Sequence, residues 1–484
     1  MTNPQRHIDL HNEARRCLLC YNSPCSAVCT KSDPARAIRA IRFDNASIAS
    51  RWLPDAADDE LLRAEQACIH YDRPIRIREI AAALEKAAPA QKRPSLAIDF
   101  CGIRCESPFF LASSAVCINY EMIASAFEAG WAGVFYKTIS LQEIHEVSPR
   151  FDAIDLPFTA FRNMEQLCET PAEVNLDIMR RLKRDYPSKI VVASIMGRTE
   201  EEWRDLAVMV QEAGADAVEL NFSCPQMHVK GLGSDTGQNP ELVAAYTAAV
   251  RKAVTIPVIP KMTPNITHIV EPAAAAARVG ADAISAINTI KSVTVNDSAA
   301  VSARNTISGL SGRAVKPIAQ RFILEMAQSP ELKAVQLSGI GGIETWRDAL
   351  EFIQLGCRNV QVCTSVMEYG YRIIDDLVLG LQNYMAQRGV DSLEQLVGER
   401  VAEFVSPLDL DSETMVFPVF GHNKCIGCGR CFVSCSDGGH QAIAFDEARR
   451  SHLVETKCVG CHLCRLVCPV RAIGISKRIY KPHK

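Results

Sequence analysis

The sequence lacks the segments that direct a chain into or across a membrane. No run approaches the roughly 18 consecutive apolar residues of a membrane-spanning helix. The first residues, MTNPQRHIDLHNEARRC, contain no apolar stretch of the kind that secretory signals carry. The sequence therefore predicts a cytoplasmic protein without a membrane partner.

An excess of charge and a dinucleotide-binding loop are also missing. The 53 lysines and arginines nearly balance 56 aspartates and glutamates, so the net charge is −3 and we expect no nucleic-acid partner. The glycines nearest to a GxGxxG fingerprint, Gly231, Gly233 and Gly237, have a different spacing. We therefore expect that the chain binds no nicotinamide dinucleotide of its own.

Cysteine, in contrast, is abundant. The 484 residues include 20 cysteines, and without an export signal these indicate metal binding or redox chemistry rather than disulfides. Eight of them lie in the last sixty residues as two copies of C-x2-C-x2-C-x3-C, the second followed by proline. This spacing is that of two-cluster bacterial ferredoxins, in which the fourth cysteine of each run ligates the other cluster.

The duplicated run predicts two [4Fe-4S] clusters with crossed ligand sets. The predicted sets are Cys425, Cys428 and Cys431 with Cys468, and Cys458, Cys461 and Cys464 with Cys435. Zinc and disulfides are the alternatives. A zinc site usually needs four ligands in two pairs, which the duplicated three-plus-one pattern does not match.

The middle of the chain alternates apolar strand candidates with amphipathic helical stretches. The candidates are residues 108–113, 133–138, 190–195, 217–223, 257–263, 283–289, 335–342 and 359–365. Eight strand–helix units predict a (β/α)8 TIM barrel in an α/β fold, and a doubly wound sheet is the alternative. We predict an N-terminal helical domain at 1–94, the barrel at 95–390, a linker at 391–420 and a ferredoxin-like domain at 421–484.

Most of the predicted strands end in polar residues or glycine. Barrels of this type carry their active sites at the carboxyl ends of the strands. Any one of these residues could be a cap or a turn residue, but together they predict a polar cup at one mouth. They are Ser113, Ser114, Lys137, Thr138, Asn221, Ser223, Cys224, Lys261, Asn288, Thr289, Gly341, Gly342, Thr364 and Ser365.

The polar cup suits a flavin. Glycines and hydroxyls after the seventh and eighth strands are typical of a phosphate pocket. Lys137 and Lys261 would be costly to bury without an anionic partner, and the negative N1 and O2 atoms of a reduced flavin are such a partner. Asn221 and Asn288 offer both a donor and an acceptor to an amide or imide ring, with turn chemistry as the alternative.

Cys224 differs from the other cysteines of the barrel. It opens a glycine-rich stretch that is typical of a mobile loop, so we expect a general acid or base beside the flavin, with packing as the alternative. The remaining barrel cysteines have no comparable setting and are interpreted as packing residues. They are Cys101, Cys105, Cys117, Cys168, Cys357 and Cys363.

Several motifs resemble a known family. The dihydropyrimidine dehydrogenase family, in particular its bacterial PreA-type subunits, has a flavin barrel that is similar to GWAGVFYKTIS, FRNMEQ, ASIMG, ELNFSCPQ, KMTPNI, AINTIKS, SGLSGRAVKPIA and SGIGGIETW. The resemblance spans about residues 95 to 475. The broader dihydroorotate dehydrogenase family shares the barrel but does not typically carry the fused cysteine tail.

The resemblance implies FMN in the barrel and a pyrimidine next to it. Cys224 takes the position of the catalytic acid, which protonates C5 of uracil or thymine while reduced FMN delivers hydride to C6. The implied FMN contacts are Ser113, Lys137, Thr138, Lys261, Gly312, Gly341, Gly342, Cys363 and Thr364. The implied pyrimidine contacts are Asn163, Asn221, Ser223, Asn288 and Thr289.

The N-terminal segment also resembles part of this family. ARRCLLCYNSPCSAVCT and ACIHYDRPIRIREI are similar to the helical iron–sulfur domain at the start of the animal enzyme and of glutamate synthase small subunits. A second cluster there would need cysteines near positions 58 and 64, where this chain has Asp58 and Ala64. The alternatives are a four-cysteine site that uses Cys29 and a docking domain without metal. The resemblance implies one [4Fe-4S] cluster at Cys17, Cys20, Cys25 and Cys68.

The function implied by the resemblance is that of an enzyme subunit. It is the FMN and iron–sulfur subunit of an NAD(P)-dependent dihydropyrimidine dehydrogenase, an oxidoreductase of pyrimidine catabolism. Without a dinucleotide loop, the chain would need a PreT-type partner that carries FAD and the NAD(P) site, in a heterotetramer. A flavin dehydrogenase for another ring, such as dihydroorotate, and an electron-transfer subunit with an inactive barrel are the alternatives.

Overall fold

The chain forms two compact units, Met1–Val401 and Ala402–Lys484. The computed structural model describes residues 8–54, 57–70, 72–86, 93–154, 160–225, 233–294 and 306–481. Among these residues, no helix is both long and apolar enough to cross a bilayer. The predicted domain boundaries within the first unit and around residue 420 stay predictions.

The first unit is built around a closed barrel of eight parallel strands, and the predicted fold class is confirmed. Each strand pairs with the next one in chain order, and the eighth pairs with the first. Nearly every strand residue is buried, because the strands face the barrel core on one side and helices on the other. In chain order the strands are Phe109–Leu111, Gly133–Ile139, Ile190–Ile195, Ala217–Asn221, Val258–Lys261, Ala283–Ala286, Gln336–Ile340 and Cys357–Val362.

Amphipathic helices surround the barrel, and local sequence fixes where they begin. Asn119, Thr199 and Thr345 each accept a hydrogen bond from a backbone N–H of the first turn that follows. The helices are Tyr120–Ala129, Ala172–Asp185, Glu200–Glu212, Pro240–Ala253, Val270–Arg278, Lys316–Gln328, Trp346–Gln354 and Ile373–Arg388. Short helices at Ser234–Gly237 and Thr364–Tyr369 follow the fourth and eighth strands.

A four-stranded antiparallel sheet stands beside the carboxyl ends of the barrel strands. Its strands, in spatial order, are Ile290–Ser292, Ser308–Ser311, Ala160–Asn163 and Phe151–Ile154. The two central strands pair through Gly309 and Asn163. A separate hairpin of Ile98–Phe100 and Ile103–Cys105 precedes the barrel.

The N-terminal helices pack against the barrel within the same unit. They are Leu10–Arg15, Pro24–Ala27, Pro34–Arg42, Asp58–Gln66 and Ile77–Ala83, with a 3-10 helix at Ala46–Trp52. The Arg39 guanidinium pairs with the buried Asp376, and Asn45 Nδ2 donates to the Asp376 carbonyl at 3.0 Å. Trp346 Nε1 donates to the Asp44 carbonyl at 3.1 Å. These contacts connect the helix Pro34–Arg42 and its following turn to the last barrel helices.

The second unit contains short antiparallel strand pairs and two helices. The pairs are Thr414–Met415 with Ile479–Tyr480, Pro418–Phe420 with Ile473–Ile475, and Ile443–Phe445 with Ser451–Leu453. The helices are Arg430–Gly438 and Leu463–Leu466. Its small core of Ile443, Cys464 and Ile473 packs against further cysteines of the two runs.

Candidate active site and cysteine clusters

The carboxyl ends of the barrel strands open into a cavity of about 1060 Å³, counting the space up to its mouth. This is the end at which barrels of this kind carry their active sites. The structure places every predicted barrel site residue except Ser223 in the lining. They are Ser113, Lys137, Thr138, Asn163, Asn221, Cys224, Lys261, Asn288, Thr289, Gly312, Gly341, Gly342, Cys363 and Thr364.

Ser223 is fully buried and links two of the asparagines. Its hydroxyl donates to Asn221 Oδ1 at 2.8 Å and accepts from Asn288 Nδ2 at 2.9 Å. Asn221 Nδ2 donates to Thr138 Oγ1 at 2.9 Å. Because each amide is held by a neighbour, the side chains of Asn221 and Asn288 are oriented before a ligand arrives.

Both cavity lysines already have carboxylate partners from this chain. Lys137 Nζ donates to Glu165 Oε2 at 2.9 Å, and both side chains are nearly buried. Lys261 Nζ lies 3.4 Å from Oε1 of the fully buried Glu219. An anionic ligand is therefore not required to offset the burial of either ammonium group, contrary to the expectation from sequence. Two positive charges still face the cavity, where they can attract the electron-rich edge of a ring.

Glycines and hydroxyls line the part of the cavity that follows the seventh and eighth strands, here called the glycine-rich end. Gly341 and Gly342 have φ values of +125° and +73°, a conformation that favours glycine. A Cβ on Gly342 would lie 2.7 Å from Lys316 Cβ, so no side chain fits there. Thr364 Oγ1 donates to Ser311 Oγ at 3.1 Å in the same wall. Exposed backbone and hydroxyl groups of this kind fit a phosphate.

A buried amide side chain whose oxygen has no hydrogen-bond partner among the described residues also lines the cavity. Gln361 is 1 % exposed, its Nε2 donates to Ser338 Oγ at 2.8 Å, and its Oε1 has no hydrogen-bond partner among the described residues. Such an acceptor is costly unless a ligand or water donates to it. With the two lysines and the glycine-rich end, it makes a donor and acceptor set that fits a flavin mononucleotide.

Cys224 lines the cavity at the end of the fourth strand and is 4 % exposed. Its carbonyl accepts a hydrogen bond from the backbone N–H of Ser234 at 2.9 Å, which closes the base of the following loop. Residues 226–232 of the predicted mobile loop lie outside the described residues. Cys363 lies in the same cavity, and burial raises the pKa of its thiol. A neutral thiol is therefore expected at Cys363.

The antiparallel sheet contributes one wall of the cavity. Phe151, Phe161, Asn163 and Leu310 line it from three of the sheet strands. A Cβ at Gly309 would lie 2.3 Å from Thr289 Oγ1, so glycine is needed for Thr289 to reach its place. This wall combines apolar rings with one amide, as expected for a pocket that binds a planar polar ring.

The two cysteine runs surround two separate hollows in the second unit. The hollows enclose about 420 and 370 Å³ of space. All eight thiols are free of disulfides. Cys425, Cys428, Cys431 and Cys468 line the first hollow, and Cys435, Cys458, Cys461 and Cys464 line the second. This is the crossed grouping that the sequence predicts.

Backbone N–H groups point at sulfur in both hollows. Gly427 N donates to Cys425 Sγ and Gly460 N donates to Cys458 Sγ, both at 3.4 Å. Ala472 N and Ala442 N donate to Cys468 Sγ at 3.2 Å and Cys435 Sγ at 3.3 Å. Such bonds favour thiolates and tune iron–sulfur potentials, so the sulfur surroundings fit two clusters.

Four of the five N-terminal cysteines lie close to one another. The pKa of Cys17 is raised to about 11, mainly by burial, and the neighbouring thiols of Cys20 and Cys68 contribute to this rise. Burial likewise raises the pKa of Cys25 to about 11, with Cys17 and Cys68 again adding to the effect. The pKa of Cys29 is raised by burial and by the carboxylate of Glu60. Cys29 therefore faces a carboxylate, and the other four thiols face one another.

Sequence reasoning missed three residues of the cavity and its floor: Glu165, Glu219 and Gln361. Glu219 had a detectable signal, because it is a charged residue inside the apolar run AVELN. Glu165 lies within FRNMEQ, two residues after the predicted Asn163. Gln361 alternates with apolar residues in NVQVCTS, a period-2 pattern that places it on the barrel interior.

Comparisons with known proteins agree with this geometry. Residues 95–385 match the dihydroorotate dehydrogenase family, and residues 419–475 match a 4Fe-4S dicluster domain. The chain is similar to the NAD-dependent dihydropyrimidine dehydrogenase subunit PreA of Escherichia coli strain K12. The two are 51 % identical over 396 residues, which cover 80 % of this chain and 96 % of the relative.

Two further relatives come from a plant and an archaeon. The chloroplastic dihydropyrimidine dehydrogenase (NADP(+)) of Arabidopsis thaliana is 34 % identical over 348 residues, 68 % of this chain and 82 % of the relative. The catalytic subunit of dihydroorotate dehydrogenase B (NAD(+)) of Pyrococcus abyssi is 36 % identical over 304 residues, 63 % of this chain and 98 % of the relative.

Proposed function

Because the chain belongs to the dihydroorotate dehydrogenase family and continues into a 4Fe-4S dicluster domain, we propose that it is the FMN and iron–sulfur subunit of an NAD(P)-dependent dihydropyrimidine dehydrogenase. The enzyme interconverts uracil or thymine and the corresponding 5,6-dihydropyrimidine. The observation that carries the proposal is the single cavity that collects two lysines, five amide side chains, two thiols and a glycine-rich end.

FMN fits this cavity with its phosphate at the glycine-rich end. Gly312, Gly341, Gly342 and Thr364 would hold the phosphate, and Ser113, Thr138 and Cys363 would contact the rest of the cofactor. Lys137 and Lys261 would stabilise negative charge on the reduced ring. When bound, FMN supplies the hydride chemistry at C6 of the pyrimidine.

Paired amides support a pyrimidine as the substrate. Uracil and thymine present alternating carbonyl and N–H groups, and an asparagine side chain offers one donor and one acceptor to such an edge. Asn163, Asn221, Asn288 and Thr289 line the cavity, and Ser223 fixes two of these amides from behind. We assign contact with the pyrimidine to the four lining residues, and to Ser223, which the sequence also predicted as a contact, the orientation of Asn221 and Asn288.

Cys224 is assigned the proton transfer at C5. Its thiol is buried at the cavity wall, so a proton on Sγ is shielded from bulk water until it moves to the substrate carbon. In the direction of reduction, Sγ gives a proton to C5 as the hydride reaches C6. In the direction of oxidation, the thiolate removes that proton.

Electrons reach the barrel from another protein in this proposal. The crossed cysteine sets hold the clusters that pass single electrons, and a PreT-type partner carries FAD and the NAD(P) site in a cytoplasmic heterotetramer. Cys17, Cys20, Cys25 and Cys68 hold a third [4Fe-4S] cluster, because these four thiols lie together while Cys29 faces Glu60.

An assay with and without the partner tests the proposal. The purified chain, alone and with its FAD-containing partner, is mixed with NADH or NADPH and with uracil, thymine or orotate. We expect oxidation of the nicotinamide only with the partner and only with uracil or thymine. Turnover of orotate in place of uracil would favour a dihydroorotate dehydrogenase, and activity without the partner would contradict the proposed subunit organisation.

A further inference from the structure

Asn265 lies in the loop that follows the fifth barrel strand, Val258–Lys261, and its side chain reaches the segment that follows the sixth strand. Lys291 N donates to Asn265 Oδ1 at 2.8 Å, and Asn265 Nδ2 donates to the Thr289 carbonyl at 3.3 Å. Asn265 Nδ2 also donates to Thr263 Oγ1 at 3.1 Å. Asn265 is partly buried and is not among the residues that line the cavity. Of its three partners, Thr289 is the one that lines the cavity.

The carboxamide of Asn265 acts in place of a neighbouring strand. Ile290–Ser292 is an edge strand of the antiparallel sheet and pairs on one side with Ser308–Ser311. The other side of an edge strand leaves backbone N–H and C=O groups that need partners. On that side, Asn265 accepts from the Lys291 N–H and donates to the Thr289 carbonyl. One side-chain amide thus supplies the acceptor and the donor that a peptide group of a further strand would supply.

The position of the Thr289 side chain depends on this backbone pairing. In the described part of the chain, the hydrogen bonds of Thr289 are made by its backbone, which accepts from Asn265 and donates to Asn288 Oδ1 at 2.8 Å. Asn288, in contrast, has a side-chain contact of its own with Ser223. A Cβ at Gly309 would overlap Thr289 Oγ1, so the hydroxyl lies in a narrow space. A shift of the Thr289 backbone would therefore move the hydroxyl within the cavity.

We propose that Asn265 is a positioning residue for the pyrimidine, because its pairing with the backbone of Thr289 and Lys291 holds the Thr289 hydroxyl where the pyrimidine binds. The inference rests on the proposed function, in which Thr289 contacts the pyrimidine. A group that is held in place before the ligand arrives binds with a smaller loss of conformational freedom. Loss of the Asn265 amide should therefore weaken pyrimidine binding. It should leave the FMN content unchanged, because no FMN contact is assigned to Asn265 or Thr289.

Binding of uracil to the FMN-loaded full-length chain tests this role. Isothermal titration calorimetry measures the Kd for uracil in the wild type and in Asn265→Ala. We expect the Kd to rise about 3- to 10-fold in Asn265→Ala, the effect of one lost hydrogen bond. In the assay with the FAD-containing partner, the KM for uracil should rise by a similar factor while kcat changes by less than about twofold. A wild-type Kd in Asn265→Ala overturns the inference.

A double-mutant cycle shows whether Asn265 acts through Thr289. Thr289→Val removes the hydroxyl and keeps the shape of the side chain, so it should itself raise the Kd for uracil. In the Thr289→Val background, Asn265→Ala should change the Kd by less than about twofold, because the group that Asn265 positions is already absent. If the effects of the two substitutions multiply, or if Thr289→Val binds uracil as the wild type does, the inference is overturned.

Two further variants separate this role from a general loss of stability. Asn265→Asp keeps the acceptor for the Lys291 N–H but removes the donor to the Thr289 carbonyl. It should raise the Kd for uracil even if Asn265→Ala does not fold, and an unchanged Kd contradicts the role. Asn119→Ala is the matched control, because Asn119 also binds a backbone N–H, that of Met122 at 2.9 Å, but lies outside the cavity lining. Its Kd should equal that of the wild type, and a raised Kd would assign the effect to stability.

The wild-type chain distinguishes failure of this inference from failure of the proposed function. A wild-type chain that contains FMN but does not bind uracil contradicts the proposed function, and the inference fails with it. A wild-type chain that binds uracil with the same Kd as Asn265→Ala leaves the proposed function standing and overturns only the role of Asn265.

Discussion

Lys137 and Glu165 form a nearly buried ion pair in the wall of the cavity, with 2.9 Å between Nζ and Oε2. Their side chains are 7 % and 10 % exposed. Arg150 also approaches Glu165, at 3.6 Å, but its side chain is 35 % exposed. Lys137 is therefore the closer and more deeply buried partner of Glu165, and the pair forms without a ligand.

Replacing one member of this ion pair should lower the free energy of unfolding more than replacing both members. Lys137→Met leaves the nearly buried carboxylate of Glu165 with only the more exposed Arg150, and we expect the free energy of unfolding to fall by about 3 kcal/mol. The double variant Lys137→Met/Glu165→Gln should recover most of that loss. Urea unfolding of the flavin-free chain, followed by tryptophan fluorescence, measures both. A double variant as unstable as Lys137→Met would show that the loss comes from packing.

Cys224→Ala should abolish turnover without emptying the flavin site. Removal of a general acid typically lowers a rate by roughly 10² to 10⁴-fold. The flavin contacts proposed above do not include Cys224, so the FMN content should equal that of the wild type. Cys168→Ala is the matched control, because Cys168 is equally buried but lies outside the cavity. Normal turnover in Cys224→Ala would remove this thiol from the mechanism.

The barrel could be predicted from sequence because its signals are local. Each strand is a short apolar run followed by a helical stretch, and the polar residues that end these runs meet at one mouth by the geometry of a closed barrel. The side sheet could not be predicted, since Ala160–Asn163 pairs with Ser308–Ser311 across a long separation in sequence. The contacts of Glu165 and Glu219 with lysines likewise depend on three-dimensional register.

The crossed cysteine sets predict which substitutions remove the same cluster. Cys428→Ala and Cys468→Ala should each eliminate the cluster of the first hollow, although forty residues separate them. Cys435→Ala and Cys461→Ala should each eliminate the other. Electron paramagnetic resonance of the reduced protein distinguishes the two signals. If Cys468→Ala and Cys461→Ala removed the same signal, each run would form its own cluster.

Asp376 should make the stability of the first unit depend on pH. Burial raises its pKa from 3.8 to about 6, and Arg39 only partly offsets this. The folded state thus holds the proton of Asp376 more tightly than the unfolded state does, which adds to the free energy of unfolding. This added stability is complete below the pKa of the unfolded state, and it is lost as the pH rises through about 6. Between about pH 5 and pH 7 the wild type should lose about 1 kcal/mol relative to Asp376→Asn.

Thermal unfolding of the two proteins over this pH range checks the expectation. The difference in Tm between Asp376→Asn and the wild type should grow as the pH rises through about 6 and become constant above about pH 7. A difference that does not change with pH would mean that Asp376 does not titrate in this range. Glu344→Gln is a control at the same surface, because Glu344 accepts from Tyr369 and contacts Arg42 near the same helices.

Iron analysis of two N-terminal variants distinguishes the possible ligand sets of the third cluster. Cys68→Ala should lower the iron content by about four atoms per chain, because Cys68 is the fourth thiol of the group with Cys17 and Cys25. Cys29→Ala should leave the iron content unchanged, because the Cys29 thiol faces Glu60. The opposite pattern would assign the site to the four early cysteines. Equal iron in the wild type and both variants would mean that the N-terminal helices hold no cluster, and their contacts with the barrel through Arg39 would then be their remaining role.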